Sequence, residues 1–428
     1  MKLLYRSEPD FDQRLAAMLS REAFNREIDA AAQAIIDDVR ARGDLALIDY
    51  ARKFDHVELA PETFQITDAE IDAAIATLDA KTTAAVDLAV EHIQDFYSQR
   101  LPQDWSYSPR PGVTLGEQFH PLDIVGCYVP GGTAPLVSTV CHTVAIAKTV
   151  GVKEIVVCTP PHADGSVHPA LLYACRRAGA TAVYRLGGVY AIAAMAYGTE
   201  TIPRVEKICG PGNAYVAAAK RAIYGSAALD LVAGPSEILI LADDSARADY
   251  VAADILSQAE HGSGREQAVL VSPSRKLLAA VAEEIPRQAA KLHRQECVSK
   301  ELENGVFLVE AMDLDDAARI ASDYAPEHLE LQVVEPQALM KKITAAGAIF
   351  LGSYTPEPVG DYVAGPSHVL PTGGTAKFFN GLTAEAFIRR TSLVHYEREA
   401  LLAEQPSLAI LTACEGLDAH GRSAAIRS

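Results

Sequence analysis

The stretch DIVGCYV, residues 123–129, is short and rich in apolar residues, and a helical pattern follows it from about Leu136. A short apolar run bounded by turn residues reads as a strand buried on both faces. The alternation then repeats: EIVVCTP at 154–160, a helix near Pro169, TAVYRLGG at 181–188, a helix near Ala191, KICGPGN at 207–213, another helix, and SEILILAD at 236–243. It resumes with QAVLVS at 267–272, a helix from about Lys276, HLELQVV at 328–334, a further helix, and AAGAIFLG at 345–352. Strands alternating with helices make βαβ units, so the spacing predicts an α/β protein with two Rossmann-like parallel-sheet domains.

Upstream of this region, residues 23–54 and 68–100 repeat apolar residues at helical spacing, with breaks near Gly43 and Pro61. The tail from about Thr383 reads as helix again. The chain accordingly divides into a small helical extension at 1–21, a first α/β domain formed by 22–127 with 237–380, a second at 128–236, and a helical C-terminal extension at 381–428. No low-complexity linker separates these blocks, so the domains are expected to touch closely.

Among the 428 residues, 38 Lys and Arg stand against 56 Asp and Glu, a formal charge of -18. That balance opposes nucleic acid and anionic membrane as partners and suits a cationic small molecule. No apolar run of about 18 residues is present, and the opening MKLLYRSEPDFDQR lacks the apolar core of a secretion signal, so a soluble, cytoplasmic protein is expected. The seven cysteines are scattered with no C-x-x-C pair, which points to buried thiols rather than disulfides or a thiolate zinc knuckle.

Four strand exits carry glycine: YVPGGTAP at 128–135, RLGGVYAI at 185–192, CGPGNAYV at 209–216 and AGPSEI at 233–238. Glycine lets backbone approach a phosphate at a helix N-terminus, and four such exits together favour nucleotide binding. A second chemistry is suggested by SQAEHGSGRE, 257–266, where Gln258 and His261 lie three apart at a helix end and so share one face. A lone Q-x-x-H is ordinarily a capped helix end. Asp361 and His368, in the Gly/Pro-rich stretch at 358–374, and His420 near the carboxyl end change that reading. Imidazole, carboxylate and amide oxygen without thiolate suit zinc or manganese with positions open to substrate. The adjacent Glu327 and His328 in YAPEHLEL offer two proton acceptors of different basicity.

Taken together, GCYVPGGTAPLVSTV at 126–140, KICGPGNAYVA at 207–217, AGPSEILILAD at 233–243, DILSQAEHG at 254–262, YAPEHLEL at 324–331, VGDYVAGPSHVLPTGGTA at 359–376 and EGLDAH at 415–420 occur in the order and spacing of the histidinol dehydrogenase family. The chain resembles that family from near Leu15 to its carboxyl end. The resemblance implies an intertwined homodimer that oxidises L-histidinol through L-histidinaldehyde to L-histidine, the last step of histidine biosynthesis, and reduces two NAD. It implies one zinc ion per subunit, held by Gln258, His261 and Asp361 with His420 from the neighbouring subunit. Ser236, His368 and Glu415 would contact substrate beside those ligands and His328, Tyr128 and Asn213 would contact NAD, and Glu327 and His328 would be the proton acceptors.

One departure bears on the cofactor. Where the family usually has Gln in GGAQAI, this chain reads GGVYAI at 187–192, placing the larger phenol of Tyr190 at a cofactor contact. The loop HGSGREQ at 261–267 also reads as about one residue longer than usual. Three rival readings are a related zinc and NAD dehydrogenase acting on another small alcohol such as a sulfonated diol, a zinc hydrolase, and a non-catalytic binding protein. An anionic sulfonate sits badly with Glu415, and a hydrolase leaves four glycine-rich exits unexplained. The intact proton acceptors and metal donors oppose a purely binding role.

Overall fold

A computed structural model of the chain describes residues 1–21, 26–131, 135–261 and 264–427; part of the YVPGGTAP exit and of the HGSGREQ loop lies outside them. The expected rhythm is present as two parallel sheets. The smaller runs Ala182–Tyr184, Glu154–Cys158, Ile124–Tyr128, Lys207–Cys209, Ala228–Leu229 across its width. The larger runs Lys2–Leu4, Val306–Glu310, Gln267–Ser272, Glu237–Ala242, His328–Gln332, Ala348–Leu351. Apart from the edge strand Lys2–Leu4, the chain enters each sheet centrally, takes two strands to one side, then crosses back to the other. That is the doubly wound order, which leaves a crevice where the direction reverses.

The strand Glu237–Ala242 shows why the larger sheet is buried on both faces. Leu239 and Leu241 enter one core, and Ile238 and Ile240 enter the other. Each such side chain contributes roughly 1.5–3 kcal/mol on burial. The neighbouring His328–Gln332 differs: Leu329 and Leu331 join the first core, but His328, Glu330 and Gln332 on the opposite face are also buried. A polar stripe inside the molecule is costly unless its groups are bonded or have a task.

Three expectations need correction. Lys2–Leu4 is a strand on the edge of the larger sheet, within the extension expected to be helical; three residues have no readable period, and pairing with Val306–Glu310 supplies the conformation. The tail holds the exposed strand Ile388–Tyr396 before its helices Arg398–Cys414 and Asp418–Ala425. That strand pairs with Val113–Pro121, which pairs with Trp105–Arg110. Thirdly, the helices of residues 26–98 cover the smaller sheet, not the larger. Arg26–Arg42 packs on Gly188–Tyr197 and Ala214–Ile223, and Ala80–Ser98 packs on Val137–Val150 and Pro169–Ala178. Ile36, Val39, Val90 and Ile93 share cores with that sheet. An amphipathic face announces burial without naming its partner, which is why the sequence division placed 22–127 elsewhere.

Candidate functional site

The polar stripe of His328–Gln332 leads to one cluster. Glu327 and His328 follow Ala325, which holds a left-handed φ of 51° at the end of the helix Leu314–Tyr324. Such a conformation is uncommon for alanine and marks a turn held by its surroundings. The carbonyl of Glu327 lies only 2.5 Å from where a Cβ on Gly347 would stand, so glycine is required there. Glu327 Oε2 accepts the Glu237 N–H at 2.9 Å, and His328 Nδ1 lies 3.2 Å from the Glu237 carbonyl oxygen. On its other side His328 Nε2 is 3.4 Å from Asp361 Oδ1.

Burial lifts the Glu327 carboxyl to about 8, against the opposing charge of His328. Burial works the other way on His328, but the charges of Glu327 and Asp361 outweigh it and lift the imidazole to about 10. Asp361 is raised by burial, yet its contact with His328 holds it below the usual carboxylate range. These groups titrate jointly, as a proton-handling pair beside an anion.

Gln258 and His261 occupy the end of the helix Ala248–Ala259 and the turn after it. Gln258 is wholly buried, its Nε2 is 3.5 Å from His261 Nδ1, and its Oε1 has no partner. Asp361 Oδ1 and His368 Nε2 are likewise buried without a hydrogen-bond partner. Ser257 Oγ donates to Glu357 Oε2 at 3.3 Å, joining the end of this helix to the short helix Glu357–Tyr362 that carries Asp361. Unpaired amide, carboxylate and imidazole atoms in one neighbourhood fit a divalent cation, which would relieve the desolvation cost of each.

Not every expected donor is gathered. Among the described residues, the group whose ligand atoms lie within 4.8 Å of one another is His328, Glu357 and Asp361, without His261 or His420. His420 and Glu415 are exposed on the C-terminal helices, which contain no buried residue. Ser236 opens the same edge as Glu237, and His368 lies edge-on to His142 with ring centroids 4.6 Å apart.

Five buried polar residues, Asp254, Glu330, Gln332, Glu357 and His142, escaped the sequence reading. Gln332 Nε2 donates to Asp254 at 2.7 Å and to Glu330 at 2.8 Å, while Glu330 Oε1 accepts the Glu357 N–H at 2.8 Å. His142 is fully buried with neither ring nitrogen hydrogen-bonded. The polar–apolar alternation of EHLELQ, with Asp254 four residues before Gln258, was the available signal for Glu330, Gln332 and Asp254.

Three of the glycine stretches follow strands of the smaller sheet, whereas AGPSEI, expected as a strand exit, instead leads into Glu237–Ala242 of the larger one. Gly210 has φ 114°, and a Cβ there would sit 2.1 Å from the Tyr128 carbonyl oxygen. Its N–H bonds Asp230 Oδ2 at 2.8 Å, and its carbonyl accepts from buried Lys220 at 2.9 Å. Asn213 caps the next helix through the Tyr215 and Val216 N–H groups. Tyr128 is buried, and its hydroxyl accepts the Gly188 N–H at 3.0 Å. Tyr190 departs from expectation: only 1% exposed, it stacks on Tyr50 and donates its phenol to Asp55, so it offers no surface to a cofactor here. Of the cysteines, five are buried, whereas Cys297 is half-buried and Cys414 exposed. Burial pushes the Cys127 and Cys141 thiols up to about 12, which denies either a thiolate role near neutrality.

Comparison with known proteins identifies the family. The family model described as histidinol dehydrogenase matches residues 19–428. A histidinol dehydrogenase of Brucella suis biovar 1 (strain 1330) is 44% identical over 425 residues, covering 99% of this chain and 98% of the relative. One from Geobacillus kaustophilus (strain HTA426) is 45% identical over 393 residues, with 92% of each chain covered. The crystal structure of histidinol dehydrogenase from Elizabethkingia anophelis superposes with a TM-score of 0.94 at 32% identity, covering 100% of this chain and 98% of that one.

Proposed function

The chain belongs to the histidinol dehydrogenase family, NAD-dependent oxidoreductases acting on alcohol and aldehyde, and from that premise we propose that it converts L-histidinol through L-histidinaldehyde to L-histidine in the cytoplasm. The observation that carries this reading is the set of unpartnered buried atoms, Gln258 Oε1 and Asp361 Oδ1, beside the Glu327–His328 pair.

Gln258, His261 and Asp361 would hold one zinc ion, whose chemistry is to bind the substrate's amine and imidazole nitrogens and fix their orientation. NAD would be cradled by Tyr128 and Asn213 and accept the hydride. His328, hydrogen-bonded through Nδ1 to the Glu237 carbonyl, would take the carbinol proton at Nε2 once a cation held by Asp361 offsets the anionic charge that otherwise keeps the imidazole protonated. Glu327, whose carboxyl is pushed up by burial, is placed to deprotonate the water that adds to the aldehyde. His368 would meet substrate across the cluster. Purified protein given L-histidinol and NAD should form two NADH per substrate and lose activity with a chelator. One NADH, or indifference to the chelator, contradicts the reading.

The remaining donor, His420, and Glu415 would come from the second subunit of a homodimer. Supporting this, the two C-terminal helices bury none of their residues, and Ile410, Leu411 and the flanking Leu417 and Ile426 are exposed. Mixing inactive His420→Ala with inactive His261→Ala protein should restore activity in hybrid dimers. No recovery despite subunit exchange would refute the shared site.

A further inference from the structure

A dinucleotide-binding sheet commonly recognises the adenosine ribose with a carboxylate near the end of its second strand. Here the second strand, Glu154–Cys158, runs out into Thr159, Pro160, Pro161 and His162, with no acid. A carboxylate nevertheless stands there, delivered by a segment about a hundred residues earlier. Asp55 Oδ1 lies 3.3 Å from where a Cβ on Gly187 would be, and Pro160 Cβ lies 2.7 Å from the same point. Asp55 is thus beside the ends of the second and third strands and next to the Gly187–Gly188 turn, whose Gly188 N–H is bound by Tyr128.

Its delivery is local and specific. The helix Asp44–Tyr50 widens into a π-turn over Ala51–Asp55 and stops at His56, a non-glycine residue at φ 57°. A π-turn adds a residue to the winding and changes which side chains face inward. Arg52, Lys53 and Phe54 remain exposed while Asp55 is half-buried. Tyr190 clamps Oδ2 from below, and Oδ1 takes no hydrogen bond among the described residues. A held carboxylate with one free oxygen at the mouth of a glycine-lined crevice is an acceptor for a vicinal diol.

We infer that Asp55 is a specificity-determining residue that accepts the adenosine-ribose hydroxyls of NAD and, by its charge, excludes the 2′-phosphate of NADP. The inference rests on the reading that NAD binds at the carboxyl ends of the smaller sheet. It also assigns a task to Tyr190, which orients Asp55 and does not touch the cofactor.

The test compares NAD and NADP kinetics of the zinc-loaded full-length enzyme at saturating L-histidinol. Asp55→Asn should raise the KM for NAD and lower the preference for NAD over NADP by about tenfold or more, with kcat for NAD little changed. Tyr190→Phe removes the phenol that holds Asp55 but leaves the charge, so it should keep most of that preference. Should Asp55→Asn fail to fold, wild-type protein offered NAD lacking the adenosine 2′-hydroxyl should show the raised KM. Unchanged cofactor preference in Asp55→Asn, an equal loss in Tyr190→Phe, or indifference to the 2′-hydroxyl overturns the inference while the NAD reading stands. Failure of the wild type to reduce NAD overturns both.

Discussion

Apart from the edge strand Lys2–Leu4, the two parallel sheets share one strand order, yet their candidate binding groups stand at opposite ends. On the smaller sheet the glycine turns lie past the carboxyl ends of Ile124–Tyr128, Ala182–Tyr184 and Lys207–Cys209, where helices begin. On the larger sheet Ser236 and Glu327 immediately precede their strands, His328 opens its own, and Gln258 sits where the helix Ala248–Ala259 finishes. The difference follows from the peptide dipole. Helix N-termini carry partial positive charge and suit a diphosphate, whereas helix C-termini carry partial negative charge and suit a metal cation or an ammonium. The edges meet through residues 361–368: Ser367 Oγ donates to the His142 carbonyl at 3.2 Å, and His142 belongs to the helix following the first strand of the smaller sheet. Cofactor and metal would therefore face one another across a single seam.

The comparison can be broken at either edge. The largest effect is expected on the proton-handling side. Glu327→Gln should cost about 10²–10⁴-fold in the aldehyde-to-acid half reaction and distinctly less in the alcohol-to-aldehyde half. Equal losses, measured separately, would end that division of labour. A base acts in its deprotonated form, so with Glu327 lifted to about 8 the second half reaction should speed up as pH rises through that value and slow as it falls. That inflection should vanish in the variant.

On the cofactor side, Lys220→Met should destabilise the fold by about 3–5 kcal/mol, because it leaves buried Asp230 without its partner. Denaturant unfolding measures this, and a loss under 1 kcal/mol would contradict it. A smaller effect, of order 1–3 kcal/mol, is expected for Gly210→Ala, which places a Cβ against the Tyr128 carbonyl at a positive φ. Its signature is a raised KM for NAD with zinc content unchanged.

The sheets were legible in the sequence because runs such as SEILILAD and QAVLVS combine apolar content with a length that only a buried strand satisfies. The N-terminal helices were legible as helices but not by destination, since their apolar faces look alike whichever sheet they cover. At the site, Gln258, Asp361, Glu327 and His328 were singled out from their spacing and sequence context, and the family resemblance supplied the roles expected of them. Glu330 and Gln332 were missed because a polar–apolar alternation normally signals a solvated face, whereas both are buried here. Tyr190 was read as a cofactor contact because it stands where the family usually has Gln, while its packing against Tyr50 and Asp55, more than a hundred residues earlier, was not visible.

The use of opposite edges for metal and nucleotide is tested most directly by the zinc and NAD dissociation constants of Gln258→Leu protein, each measured by titration against the wild type. Zinc binding should weaken by about 10–100-fold or more while NAD binding stays within about twofold. Unaltered zinc affinity, or a parallel loss of both ligands, would contradict the assignment of the metal to the amino edge of the larger sheet.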